Sequence, residues 1–400
     1  MAVTETTTES WGSRLGSSIK GVLIGLALFI AGFPVLFWNE GNSVKTAKAI
    51  DEGEGACISV ESNANVDPEM NGKLVHMSGK ADTKEVLTDD QFGVSATAIR
   101  LERHVEMYQW VEESHSQKKK KLGGSEETVT TYTYKKDWVE HAIDSSGFKE
   151  AGHDNPGSME FESDRTYASN VSFGAFKLSP KQIELIGHAQ DYKFPTNFVC
   201  KVERVKVQGT TIYVPNAETR NNALNNRDVA SQTRIGDMRV KFRVVYPHDV
   251  SIIAKQQGDT FIDYTAKNGK KLNYLEDGIQ DAAAMFETAR KNNAIITWLI
   301  RIGGFLMMFI GLSMVFKPLS VLADVLPILG DIVEMGMGLV AGLIALICAL
   351  VTIAIAWLFY RPVLGIILLA VAGFFGWKLF QKRKAAKAAK AASGAAPAAA

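Results

Sequence analysis

Hydrophobic and polar positions follow two regimes along this chain. Long apolar runs occupy residues 21–38, 294–316, 335–360 and 362–377, and a largely polar stretch separates the first from the rest. The first and third runs carry no charge, and the second carries only Arg301. A bilayer core about 30 Å thick takes about 20 apolar residues in a helix. The pattern therefore predicts transmembrane helices over 19–38, 294–316, 335–360 and 362–378. Residues 1–18 and the Ala/Lys-rich 379–400 read as disordered ends. The first run is longer than the roughly 7–15 residues of a signal-peptide core, so it reads as an uncleaved anchor.

Between the first two spans, residues 39–293 favour a period of two, the strand repeat. Val240, Phe242 and Val244 face away from Arg239, Lys241 and Arg243. Ile99, Leu101, Val105, Met107 and Val111 alternate with Arg100, Glu102, His104, Glu106 and Glu112. The Thr-, Val- and Tyr-rich segment 128–139 follows, with Lys118–Lys121 and Gly123-Gly124 between, which predicts a long hairpin with a basic tip. Residues 278–291 return to helical spacing and lead into the second span. The expected fold is an α+β multipass membrane protein, four transmembrane helices plus a large β-rich extramembrane domain.

Lysines and arginines at the span ends set orientation. Arg14 and Lys20 precede the first span, and Lys378, Lys382, Arg383, Lys384, Lys387 and Lys390 follow the last without an acid. Both termini are expected in the cytoplasm, with 39–293 on the other side. Residues 317–334 place Leu319, Leu322, Val325, Leu326, Leu329, Ile332 and Val333 on one stripe. They read as an amphipathic connector on the cytoplasmic face, kinked at Pro327, or as a plain re-entrant linker.

Composition narrows the chemistry. A formal net charge of +1 gives no ground for nucleic-acid binding, and no cofactor motif occurs. Three cysteines are too few for a disulfide framework. Cys57 and Cys200 share the domain and read either as a pair, in an oxidising compartment, or as two buried thiols. The seven histidines are scattered, and no nucleophile–base or metal-binding spacing appears. Buried ionisable groups mark ion paths. Only Arg301 lies within a span, near enough to its end to snorkel. Gly21 and Gly25, like Gly338 and Gly342, have the spacing that lets helices approach closely. His104, Glu106, Tyr108 and Trp110 project from one strand face and form a candidate interaction surface. Asn170-Val171-Ser172 is an N-glycosylation pattern.

Several segments resemble one family. Phe37-Trp38-Asn39-Glu40-Gly41, Arg103 to Glu112, Gly152-His153-Asp154-Asn155-Pro156, Gly236 to Val240 and Trp357 to Pro362 are similar to the transmembrane protein 43 (LUMA) family. The resemblance implies a four-span protein of the endoplasmic reticulum and inner nuclear membrane with a lumenal domain. It implies self-association and a scaffold role with emerin, lamins and a membrane ubiquitin ligase linked to innate immune signalling. It implies no catalytic residue. The family also occurs in bacteria, where the inner membrane with a periplasmic domain replaces that setting. The expectation is a non-enzymatic membrane scaffold. A transport or channel component and a membrane-bound hydrolase are the alternatives.

Overall fold

The computed structural model describes residues 3–221 and 229–362. The chain divides into two compact units. One comprises residues 1–9, 48–120 and 126–290, and the other residues 10–47, 121–125 and 291–400.

The first unit is built on two sheets. In the larger, β1 (Val3–Glu9), β4 (Glu126–Val139), β3 (Arg100–Lys120), β6 (Met238–Val245) and β5 (Thr211–Val214) lie side by side in that order. The second sheet centres on the antiparallel pair β2 (Leu74–Asp82) and β7 (His248–Gln257), with β8 (Tyr274–Asp277) beside β7. Period-two alternation makes these strands amphipathic. Val105 and Met107 of β3, Val240, Phe242 and Val244 of β6, and Val250 and Ile252 of β7 are all buried and join one core. Phe173, Phe176 and Phe261 fill it further.

The β3–β4 hairpin is longer than its sequence suggests. The strands run through Lys120 and resume at Glu126, so Lys118, Lys119 and Lys120 belong to the ladder and the tip is 121–125. Gly123 and Gly124 turn it with φ of +87° and +80°, a region open to glycine at no steric cost.

The N-terminal residues are ordered, contrary to the expectation from sequence. Val3 to Glu9 form β1, paired residue for residue with Tyr132 to Glu126 of β4. Threonine-rich sequence suits a strand, and a seven-residue ladder offsets the entropy of ordering it.

The second unit contains the apolar parts of three long helices: α1 (Trp11–Ala56), α2 (Ala282–Ala323) and α3 (Pro327–Tyr360). All three are long and apolar enough to cross a membrane. The fourth expected span, 362–378, lies outside the described residues beyond Pro362, as do 379–400. The segment 317–334 is not a separate element. Its first part ends α2, its last part begins α3, and 324–326 make the break, with Pro327 at the first turn of α3. Proline is tolerated there because that N–H has no helical partner.

α2 packs closely and antiparallel to α1, while α1 and α3 run parallel. A side chain added at Gly25 would stand 2.6 Å from the Gly311 carbonyl oxygen, and one at Gly304 would meet Leu36. Ala341, Ala345 and Ala349, one turn apart on α3, are buried in the same cluster with Leu36 and Met308. Leu23, Ile24, Ile302, Leu339 and Phe359 point outward and exposed, as lipid-facing positions do.

At one end of this unit, Arg14 donates from Nη2 to Asp324 Oδ2 at 2.6 Å and from Nη1 to the Gly124 carbonyl at 2.6 Å. Trp11 Nε1 donates to the Val321 carbonyl, and Gly123 N to that of Val325. These bonds lie within the second unit and hold the hairpin tip, 121–125, against Arg14 and the α2–α3 break.

Candidate interaction surface and the polar clasp of the helix bundle

The even-numbered side chains of β3 form a ladder with their neighbours across the sheet. His104, Glu106, Tyr108 and Trp110 are all half-buried, while Val105, Met107 and Gln109 between them are buried. Glu106 faces Arg239, which donates to it from both Nε and Nη2 (the latter at 2.9 Å). Tyr108 faces Trp138 with ring centroids 5.2 Å apart, and Arg239 lies over the Trp138 ring at 4.7 Å. Trp110 faces Lys136, whose ammonium sits 4.5 Å from the indole centroid. Glu112 accepts the Tyr134 hydroxyl. His104 stands slightly apart, with Nε2 3.2 Å from Glu102. Cations over aromatic faces at such distances are attracted by the ring quadrupole.

The loop 152–156 seats on this ladder. Asn155 grips the Trp110 backbone, accepting its N–H at 2.7 Å and donating to its carbonyl at 2.9 Å. His153 stacks on Tyr134 at 4.0 Å and meets Trp110 edge-on at 4.4 Å. Next to it, Gly236 N donates to the Tyr108 carbonyl, and the buried Asp237 accepts from Asn216 N and Arg234 N. Three of the segments that carry the family resemblance thus form one physical unit. Gln109, which sequence reading passed over, fastens β3 from the buried side by bonding the His141 carbonyl and Ile143 N.

The other resembling segments meet in the helix bundle. Glu40 accepts from Arg301 Nε at 2.6 Å and Nη2 at 2.8 Å, and from Trp357 Nε1 at 2.8 Å. Its side chain is 2% exposed and that of Arg301 15%. Arg301 also lies 4.7 Å above Trp298. Asn39 donates to the Thr297 carbonyl, and Gly41 gives room to Tyr360. Arg301 does not snorkel as expected; it is held inward by Glu40. Glu40, a carboxylate two residues past the apolar limit of the first run, was the available signal.

The remaining expected residues are placed as follows. Gly25 lies at a tight helix contact, and a side chain added at Gly21 would stand 3.6 Å from Met314. A side chain added at Gly342 would make ordinary contact with Phe309, and one at Gly338 would meet nothing within 4 Å. Gly32, Gly41, Gly304 and Gly311 make contacts that a four-residue glycine spacing alone did not single out. Cys57 and Cys200 are both free. Cys57 packs on the Ile50–Leu74–Phe286 cluster, where burial pushes its thiol up to about 11, and Cys200 packs on the main core.

Asn170 lines a cleft of about 480 Å³ with Asp82, Thr83, Lys84, Glu85, Ser172 and Lys177. Its amide donates to Glu85 Oε1 at 2.7 Å. Glu85 also accepts from Ser169 N, Ser169 Oγ and Asn170 N, and these bonds hold its carboxyl below the ordinary range.

A β-rich unit, and three apolar helices held to one another by a buried ionic clasp, define an integral membrane protein. The chain belongs to the transmembrane protein 43 family: that family's model matches residues 107–362. The human transmembrane protein 43 is 32% identical over 370 residues, covering 90% of this chain and 89% of its own length. The mouse protein is 32% identical over 360 residues, 87% of this chain and 86% of its own. The Drosophila melanogaster homolog is 28% identical over 354 residues, covering 87% and 90%. No solved structure matches.

Proposed function

We propose that this protein is a non-enzymatic membrane scaffold that gathers other membrane proteins through its β-rich unit. The supporting observation is the half-exposed ladder of β3. Tyr108, Trp110, Lys136, Trp138 and Arg239 present aromatic faces and cations together, the residue mixture of recognition surfaces. Their mutual contacts hold them in place before any partner arrives, which lowers the entropic cost of association.

The clasp supports the same reading. Glu40 neutralises Arg301 in place, and the rest of the described span surfaces are apolar. Such helices anchor and pack. By family resemblance, the setting is the endoplasmic reticulum and inner nuclear membrane, and emerin, lamins and a membrane ubiquitin ligase are the partners to test. Both termini are assigned to the cytoplasm on the basic flanks, together with the hairpin tip. Affinity purification in mild detergent, with identification of the co-purifying proteins, tests the scaffold. Stoichiometric membrane partners are expected; a chain that purifies alone from its own membrane overturns the reading.

A further inference from the structure

The tip of the β3–β4 hairpin, residues 121–125, belongs to the unit that holds the apolar helices. It is seated by the bonds of Gly124 O to Arg14 and of Gly123 N to the Val325 carbonyl. The seat itself is braced by Arg14 on Asp324 and by Trp11 on the Val321 carbonyl. Trp11 packs so closely that a side chain added at Gly124 would stand 2.4 Å from its ring. Leu122 is the one apolar side chain larger than glycine in this tip, and it is 81% exposed.

The helices around the tip expose apolar side chains as well. Ile19 of α1, Leu319 and Leu322 of α2, and Val325 and Leu326 at the break are each 45% to 55% exposed. All lie beyond the uncharged cores of the apolar runs, which begin at Gly21 and end at Phe316. The charges of this stretch are tied to one another. Arg14 and Asp324 pair with side chains 5% and 1% exposed, and Lys317 meets Glu334 at 2.8 Å. Lys20 is exposed on a stem long enough to keep its ammonium in water. Grouped exposed apolar side chains mark a surface that another phase or molecule covers. These continue the outward-facing apolar surface of helices long enough to cross a membrane, which favours lipid as the covering phase. Tryptophan and lysine are the residues that settle at the level where a bilayer meets water.

We propose that the hairpin tip is a membrane-interface anchor. Leu122 enters the boundary between headgroups and acyl chains beside Trp11, and Lys121 keeps its ammonium among the headgroups. The bilayer is thereby held at a segment that no apolar run in the sequence announces. The boundary region is polar and hydrated, so a cysteine at 122 stays reactive toward reagents in water.

Fluorescence of the full-length chain in phosphatidylcholine/phosphatidylglycerol vesicles tests it. Bimane is attached to Leu122→Cys, and label taken up by the three native cysteines is subtracted using the parent. Ile302→Cys, 53% exposed within the apolar run of α2, serves as the lipid reference. Asp90→Cys, at a side chain 90% exposed in the β-rich unit, serves as the water reference. A lipid carrying a nitroxide near the top of its acyl chain is expected to quench the label at 122 about half as much as at 302 or more, as for a side chain at the headgroup boundary, and to leave that at 90 unchanged. Quenching at 122 no greater than at 90 overturns the proposal. Blue-shifted emission at 122 without quenching means that protein covers Leu122, and overturns it too. If the labelled variant loses the parent's melting temperature, unlabelled Leu122→Trp decides. Its difference spectrum from the parent is expected to be blue-shifted and quenched by the same lipid, and emission typical of water rejects the anchor.

Discussion

Glu40 and Arg301 form a two-point ion pair inside the helix bundle, with both guanidinium nitrogens within 2.8 Å of the carboxylate. Removing one partner strands a buried charge. Arg301→Met is expected to cost about 3–5 kcal/mol, whereas Glu40→Leu/Arg301→Met recovers much of the loss because both charges go together. Trp357→Phe removes one hydrogen bond to a charged group, about 1.5–3 kcal/mol. Thermal melting of the detergent-solubilised chain checks all three, and a double variant no better than the single would refute the pairing argument.

Gly25 sets the approach of α1 to α2. Gly25→Val places a side chain against the Gly311 carbonyl and Met314, and is expected to cost about 1–3 kcal/mol or more by overpacking. Gly338→Ala meets nothing within 4 Å and stays within about 0.5 kcal/mol of the parent. Equal melting temperatures for the two would contradict the packing described.

Much of this was legible in the chain. Period-two alternation foretold the buried Val105, Met107, Val240, Phe242 and Val244, because pleating sends neighbours to opposite faces, but Val111 is only half-buried and Glu102 is buried against Arg100. The first three apolar runs foretold the three described helices, because length and lack of charge are what a bilayer asks. The pairing in the clasp was not legible, since Arg301 lies 261 residues from Glu40, with which it pairs, and 56 from Trp357, over whose ring it sits. β1 was missed because a threonine-rich heptad is a strand only when another strand offers its edge. Glycine spacing pointed to Gly25 but equally to Gly338, as sequence cannot say which helix face meets a neighbour.

Trp110 is half-buried, and its truncation separates docking from stability. Trp110→Ala loses the His153 and Lys136 contacts, about 1–2 kcal/mol together. Phe242→Ala, fully buried, costs about 3–5 kcal/mol. The expected result is a small shift in melting for the first and a large one for the second. A loss at Trp110 as large as at Phe242 makes it a core residue and removes it from the docking surface.

Glu85 ties the loops at 83–85 and 169–170. The Ser169 amide and hydroxyl and Asn170 depress its folded pKa, so its contribution is complete above the ordinary glutamate value of about 4.3 and is lost as pH falls through the lower folded value. Amide exchange at Ser169 and Asn170, corrected for the intrinsic pH effect, is expected to lose protection only on that acid side. Glu85→Gln weakens protection at neutral pH and abolishes the dependence. Protection that rises as the solution is acidified would contradict the assignment.

The hairpin tip is bonded to Arg14, and the two are therefore expected on one side of the membrane. Leu122 is 81% exposed and gives a handle there. In sealed vesicles, Leu122→Cys is expected to react with an impermeant maleimide from the same side as a cysteine placed at Ser10. Labelling of the two from opposite sides would contradict the Arg14–Gly124 bond.

Partner recruitment through the β3 ladder tests the central claim most directly. Full-length protein and a Tyr108→Ala/Trp110→Ala/Lys136→Ala variant, matched for melting temperature and membrane insertion, are purified in mild detergent and their complexes compared by mass and composition. A scaffold that works through this face is expected to keep a defined set of membrane partners in the parent and lose it in the variant. An identical partner set in both, or a parent that purifies with none, would contradict the account.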